Sequence, residues 1–306
     1  MLEKYSSLAQ TTGAIMIPQC GLDSVPADML TYMLTRHVRQ TLGTGTATVD
    51  VSLLDAKTGI SGGTSETMLT LFEHFGARKL GEGMEPWSIA PERPVAPAKS
   101  PRGGWLYRVL GMAHIPELGG LQTMWLMATV DRCIAHRSWG LYQERAKKTG
   151  NADLSYGPRF NYHETMRAKS FLHGAAISLG MALFGLLLAL PPSRWLLAPL
   201  IRRLAIPKPG EGPSRESMKG DFMNYRGLAI ADTPQKQKVL GEVCLSGGGY
   251  VTTGQTLSAA AMLILRGRIG ETEAAKMGGG ILTSAMLGEL YVEELHKVGI
   301  DIRVGI

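Results

Sequence analysis

Apolar positions along this chain fall into short β-prone runs, helical stripes and one long uninterrupted block. The first run, Ala14-Ile15-Met16-Ile17, is stopped by Pro18, which has no N–H to give a strand ladder. A polar corner follows, Gln19-Cys20-Gly21-Leu22-Asp23-Ser24. Pro26 then suits the first turn of a helix over 26–40, with Asp23 or Ser24 as its cap. The order is buried strand, polar corner, helix, and in α/β proteins corners at the carboxyl ends of strands are where ligands sit. Upstream, residues 2–8 read as the end of a helix closed by Gly13.

Thr46 to Leu54 alternates and is rich in β-branched residues, which predicts a strand. A second polar corner, Gly59 to Thr64, leads into helical spacing through Met68, Leu69, Leu71, Phe72 and Phe75. Residues 81–104 are rich in Pro, Gly and charge and predict a long surface loop, a candidate lid. Residues 105–142 predict a strand and a helix; 221–231, 238–245 and 300–304 predict strands; 253–265 and 283–298 predict helices.

The long block is Phe171 to Leu190, without a formal charge and ended by Pro191-Pro192. Its length matches a bilayer crossing. A shorter apolar run, Trp195 to Ile201, follows, so the whole apolar segment is 171–201, with Arg167, Lys169, Arg202 and Arg203 at its flanks. Hiding about ten large apolar side chains is worth on the order of 20 kcal/mol in lipid or in protein. Two readings stay open: a membrane or lipid-droplet surface, or a protein core or dimer contact. Gly174 and Ser178 would permit close helix packing in either.

The 306 residues suffice for a large core and one or two domains. Apolar content is 44% with a net charge of +6, and mean hydropathy is +0.02. Lys and Arg are dispersed, without a polybasic block or aromatic-basic interleaving, which argues against nucleic acid. Mild basicity suits an anionic cofactor, an acyl carrier or an acidic membrane surface. Cys20, Cys133 and Cys244 are far apart, which argues for reduced thiols facing the cytosol and against disulfides or structural zinc. The charged N-terminal stretch lacks the apolar core of a signal peptide.

Dinucleotide and nucleotide fingerprints fail on inspection. Gly43-Thr44-Gly45 has Thr48 where a third glycine is needed, and a strand follows it instead of a helix. Gly249 to Thr256 nearly matches a Walker loop, but Gln255 stands where the phosphate-binding lysine belongs. Ser61-Gly62-Gly63-Thr64 opens a helix and is either an anion cradle or a plain cap. Asp23 and Ser24 either cap a helix or face a ligand. Tyr156, Tyr162 and Glu164 are either structural or proton donors near a strand end.

Cys20-Gly21-Leu22-Asp23-Ser24-Val25-Pro26-Ala27-Asp28 resembles the C-G-F-D-S-x-P-S-D signature of the saccharopine dehydrogenase-like oxidoreductases, which include trans-acting enoyl reductases of lipid and polyketide assembly. Ser61 to Thr64, Met127-Ala128 through Arg137-Ser138, Tyr156 through Glu164, Pro207 to Ser214 and Gly249-Tyr250 resemble further motifs of that family, in order.

The resemblance implies an α+β fold: a mixed-sheet second domain (27–306) following a remnant of a Rossmann domain (1–26) whose main part family members carry upstream. It implies NADP- or NAD-dependent hydride transfer to an unsaturated acyl or polyketide-like substrate. Gln19, Cys20, Gly21, Ser61, Gly62, Gly63 and Thr64 are then cofactor-binding candidates, and Asp23, Ser24 and Tyr162 catalytic ones. A homodimer or a separate nucleotide-binding half is the expected partner, and the cytosolic face of a membrane or lipid droplet the expected location. The alternatives are a membrane-bound accessory protein without redox activity and a cofactor-free isomerase or cyclase.

Overall fold

The computed structural model describes residues 1–59, 62–100, 102–204, 212–214 and 216–305. Its elements in chain order are α1 (Leu2–Thr12), β1 (Ile15–Met16), α2 (Val25–Leu42), β2 (Thr46–Lys57), α3 (Gly62–Gly83), α4 (Trp105–Leu110), β3 (Ala113–Ile115), β4 (Gly120–Thr123) and α5 (Ala128–Thr149). Then come β5 (Asn161–Arg167), α6 (Phe171–Ala189), α7 (Pro191–Leu204), β6 (Phe222–Ala231), β7 (Lys238–Ser246), α8 (Gly249–Leu265), α9 (Glu273–Lys276), β8 (Gly280–Ile281), α10 (Gly288–Lys297) and β9 (Asp301–Val304).

Seven strands form one mixed sheet in the order β3-β4-β5-β2-β6-β7-β9. The β2–β5 pair is parallel and the others are antiparallel. With helices packed against it, this is a mixed-sheet α+β architecture. β2 is central and buried on both faces: Val49, Val51 and Leu53 enter the main core, while Thr48, Asp50 and Ser52 on the other face are also buried. That polar row needs partners, and finds some: Ser52 Oγ donates to Gln122 Oε1 at 2.6 Å and Thr165 Oγ1 to the same oxygen at 3.2 Å.

α2 lies on β6 and β7 because those strands carry Gly227 and Gly241 under it. A Cβ at Gly227 would fall 2.6 Å from a Leu34 methyl, and one at Gly241 3.1 Å from a Leu30 methyl. α2 is therefore buried over most of its circumference. It is tied at its start by Asp28, which accepts from Ser138 Oγ (2.5 Å), Ser284 Oγ (2.7 Å) and Ala285 N–H (2.8 Å).

β1 and β8 stand apart as a two-stranded parallel sheet. α1 precedes β1 and ends at Gly13, whose φ of 70° is the left-handed cap glycine favours.

Three expectations change. Residues 84–100 are a strap rather than a free lid: His136 Nδ1 donates to Pro86 O at 2.5 Å, Arg137 to Ile89 O, and Ala98 N–H to Arg159 O at 2.7 Å. The anchoring groups lie on α5 and on the approach to β5, too far along the chain for local patterning to reveal. The 105–142 segment holds two helices and two short strands. The expected 283–298 helix begins with a 3-10 turn at Ser284–Leu287 before α10. The expected 207–214 loop lies mostly outside the described residues.

Candidate active site

The sharp turn after β1 brings the start of α2 against α5 and β5. Ser24 stands at the N-cap position of α2 but makes no capping bond; it is buried and turned toward Asp131 of α5. Asp131 faces Glu164 of β5, and both carboxyls are buried. Tyr162 donates to Glu164 Oε2 at 2.8 Å. The Asp131 carboxyl and the Trp125 indole N–H both stand within hydrogen-bonding approach of the Glu164 carboxyl.

Burial sets the proton affinity of this group. Loss of hydration raises Glu164 to about 7, against the lowering effect of the Tyr162 hydroxyl. Asp131 is pushed well above the usual carboxylate range, first by burial and then by the charge of Glu164. Two carboxyls this close cannot both ionise, so the pair holds a proton near neutral pH. Asp23 is raised by burial alone and adds negative potential to Asp131. Tyr162 is driven well above its ordinary value by burial and by Glu164 and stays a neutral donor.

A cleft of about 530 Å³ reaches Glu164. It opens where the sheet is interrupted: β4 pairs with β5 only at Gln122↔Arg167 and Thr123↔Met166, leaving 163–165 without a strand on that side. Arg102 fills part of the gap, donating Nη1 to Glu164 O at 3.4 Å. Its charge is matched by Asp50 at 3.2 Å, and Ser100 Oγ donates to Asp50 at 2.9 Å. The outer walls of the cleft are mixed: Met124, Val109, Leu179 and Ala182 are apolar, while Arg108, Arg132 and His163 are basic. The arrangement is a buried acid at the inner end of a slot with mixed apolar and basic walls.

The three candidate catalytic residues, Asp23, Ser24 and Tyr162, therefore converge on the Asp131–Glu164 pair. The cofactor candidates divide. Gln19 is exposed and lines a separate groove of about 360 Å³ with Pro18, Ser88, Arg137 and Ile281. Cys20 is buried, its Sγ 3.7 Å from Tyr291 Oη, and burial pushes the thiol up. Gly21 packs on α8, where a Cβ would meet Thr253 at 3.2 Å. Ser61 lies outside the described residues, and Gly62, Gly63 and Thr64 form the first turn of α3.

Sequence reasoning did not single out Asp131, Trp125 or Arg102. Asp131 did lie within the Met127–Ser138 stretch, at its variable Asn/Asp position. Its buried partner is 33 positions away (164 − 131) and on another element, beyond the reach of any spacing rule.

No family model matches the chain, and no solved structure matches it. Named relatives do. A trans-acting enoyl reductase of Mycobacterium bovis is 30% identical over 318 residues, covering 98% of this chain and 69% of the relative. One of Mycobacterium tuberculosis matches to the same extent. One of Mycobacterium ulcerans is 28% identical over 322 residues, covering 98% and 69%. With near-complete coverage at that identity, the chain belongs to the trans-acting enoyl reductase family.

Proposed function

We propose that the chain is the substrate-side portion of an enoyl reductase acting on an acyl or polyketide-like thioester, and that the Asp131–Glu164 pair supplies its proton. The observation that carries this reading is a pair of facing, buried carboxyls at the inner wall of the cleft, both raised by burial. Reduction of an enoyl thioester adds a hydride at the β-carbon and a proton at the α-carbon. Glu164 is suited to the second task, since a donor works best with a pKa near the working pH. Tyr162 donates to one Glu164 oxygen, and Asp131 and the Trp125 indole stand against the same carboxyl. Asp131 returns the proton, and Ser24 fixes Asp131.

The hydride in this reading comes from the reduced form of NADP or NAD, NADPH or NADH. The glycine turn before α8 does not fit a pyrophosphate. The Gly247–Gly249 turn is packed against protein, with a Cβ at Gly248 falling 2.7 Å from Asp221 Oδ2, so it leaves no cradle for a pyrophosphate. The grip on the nucleotide is therefore assigned to another half, upstream or separate. The exposed Met16 and the isolated β1–β8 pair support a remnant domain at 1–26 that such a half would complete. The relation to saccharopine dehydrogenase-like proteins rests on the motif order given above.

A cofactor-free isomerase is the second reading, favoured because the proton-holding pair is complete on this chain alone. The test is turnover of an enoyl thioester by the chain together with its nucleotide-binding half. Glu164→Gln should lower kcat by roughly 10²–10⁴ with deuterium from solvent appearing at the α-carbon in the wild type. A rate within about twofold of wild type would remove Glu164 from the reaction. Turnover indifferent to nicotinamide would favour isomerisation.

A further inference from the structure

We infer that α6, with α7 and α4 beside it, is an in-plane docking face for an anionic lipid bilayer. This rests on the surface and not on the chemistry proposed above. Only Gly174, Ser178 and Leu188 of α6 are buried, and at about 100° per residue they share one face. Gly174 packs against Met112 and Ala168, and Ser178 meets Thr123 Oγ1 at 2.8 Å. Leu188 closes a small cluster with Leu69 and Ala198. Leu172, Leu179, Leu183, Leu186 and Leu190 fall on the opposite face and are all exposed, Leu172 at 79%. A helix seated along its length on protein, with leucine outward, lies in an interface instead of crossing it.

The surroundings extend the face. Trp195 of α7 is 81% exposed and Trp105 of α4 71%, with Leu196, Leu200 and Val109 exposed beside them. Indole rings of this kind sit at the headgroup level of a bilayer. From Thr165 to Gly210 the chain carries Arg167, Lys169, Arg194, Arg202, Arg203 and Lys208 and no Asp or Glu. Arg202 is held by Glu66 and Glu73 of α3, whereas Lys169 is exposed. A second copy laid face to face would bring Arg167, Lys169 and Arg194 against their own counterparts, with the Glu66 and Glu73 carboxylates already taken by Arg202, which disfavours it. Anionic headgroups match them. Leu179 and Ala182 of α6 and Val109 of α4 also line the cleft, so its mouth adjoins this face.

The experiment is flotation of the full chain with vesicles of phosphatidylcholine alone and of phosphatidylcholine with phosphatidylglycerol. Binding to the anionic vesicles is expected, weakened by salt and released by alkaline carbonate. A Leu183→Glu/Leu186→Glu double variant, outside the cleft, should lose roughly tenfold or more of the partition, while Leu265→Glu at the exposed end of α8 should lose none. Circular dichroism verifies that both variants fold. Absence of wild-type binding to either vesicle overturns the proposal, as does resistance to carbonate, which would mean a crossing. A wild-type dimer made monomeric by the double variant, without vesicle binding, would assign the face to a second copy. All readouts are partition or mass, so failure of the enoyl reductase reading would leave them unchanged.

Discussion

Glu164→Gln tests the protonated pair through stability alone, without substrate or cofactor. In the wild type the Glu164 carboxyl moves from 4.5 to about 7 on folding, because burial disfavours its charge. Its folded pKa lies above its unfolded one, so between those values the folded state holds the extra proton. Stability from this group is therefore greatest below about pH 4.5 and falls as pH rises to about 7. At 1.36 kcal/mol per unit the fall is about 3 kcal/mol. Glutamine keeps an acceptor for Tyr162 and cannot ionise. Removing Glu164 also relieves Asp131 of the charge that holds it up, so the gain belongs to the pair, and the variant should be stabilised relative to wild type by on the order of 3 kcal/mol as pH rises from about 5 to about 8. Asp28, raised by burial to about 6, slopes the same way, and His136, lowered by burial to about 4, slopes the opposite way. Both are present in each protein and cancel in the difference. Urea unfolding followed by tryptophan fluorescence across that range gives the number. A flat difference, or one that moves against the variant as pH rises, would mean that Glu164 is charged in the folded protein and would refute the argument.

Four further outcomes are expected. Arg102→Met leaves Asp50 buried without its cation and should cost about 3–5 kcal/mol in chemical denaturation. Asp50→Asn frees the Arg102 charge to act on Glu164, so the falling limb of its pH–stability curve should move to lower pH. Gly157→Ala places a Cβ 2.8 Å from Thr46 O at a φ of 141° and should cost about 3 kcal/mol or more in thermal or urea melts. Thr123→Val removes the hydroxyl that donates to Gly174 O at 2.8 Å; about 1–3 kcal/mol should be lost, with faster amide exchange at the start of α6.

Sequence patterning located the long elements well because each has a strong local cause. The β-branched alternation of 46–54 became β2, extended to Lys57, and the helix at 26–40 became α2 with its glycine end at Gly43. The run at 14–17 became only a two-residue strand because its partner, β8, is itself two residues long. Patterning was weaker where burial is decided by distant chain. Alternation in β2 predicted a strand and not what covers its polar face, where Asp50 and Ser52 are buried beneath partners drawn from residues 100, 102 and 122. The 84–100 segment has loop composition and is still held by α5 through His136 and Arg137. The apolar block at 171–190 left core and surface open, and the buried residues Gly174, Ser178 and Leu188 now place one narrow face on the protein.

The strap and the acid depend on each other. An acid stays neutral near pH 7 only while water is excluded and no cation is free beside it. Arg102 is close enough to lower Glu164, and an unpaired guanidinium there would ionise the very group that needs its proton. Asp50 prevents this by taking the charge at 3.2 Å, with Ser100 orienting both. Those two partners come from opposite sources: Asp50 from the middle of the central strand, and Ser100 from the end of the strap. The strap is positioned in turn by His136, whose ring stacks on Trp87 at 3.5 Å and whose Nε2 accepts the Tyr162 N–H at 3.1 Å. A neutral imidazole is required for that acceptance, and burial supplies it by lowering His136 to about 4. Tyr162 is thus held at its backbone by the group that seats the strap, and at its hydroxyl by the acid the strap protects. Loosening residues 84–100 would release Ser100 from Asp50 and Arg102, so the strap acts on the acid through the cation beside it and not through the shape of the cleft.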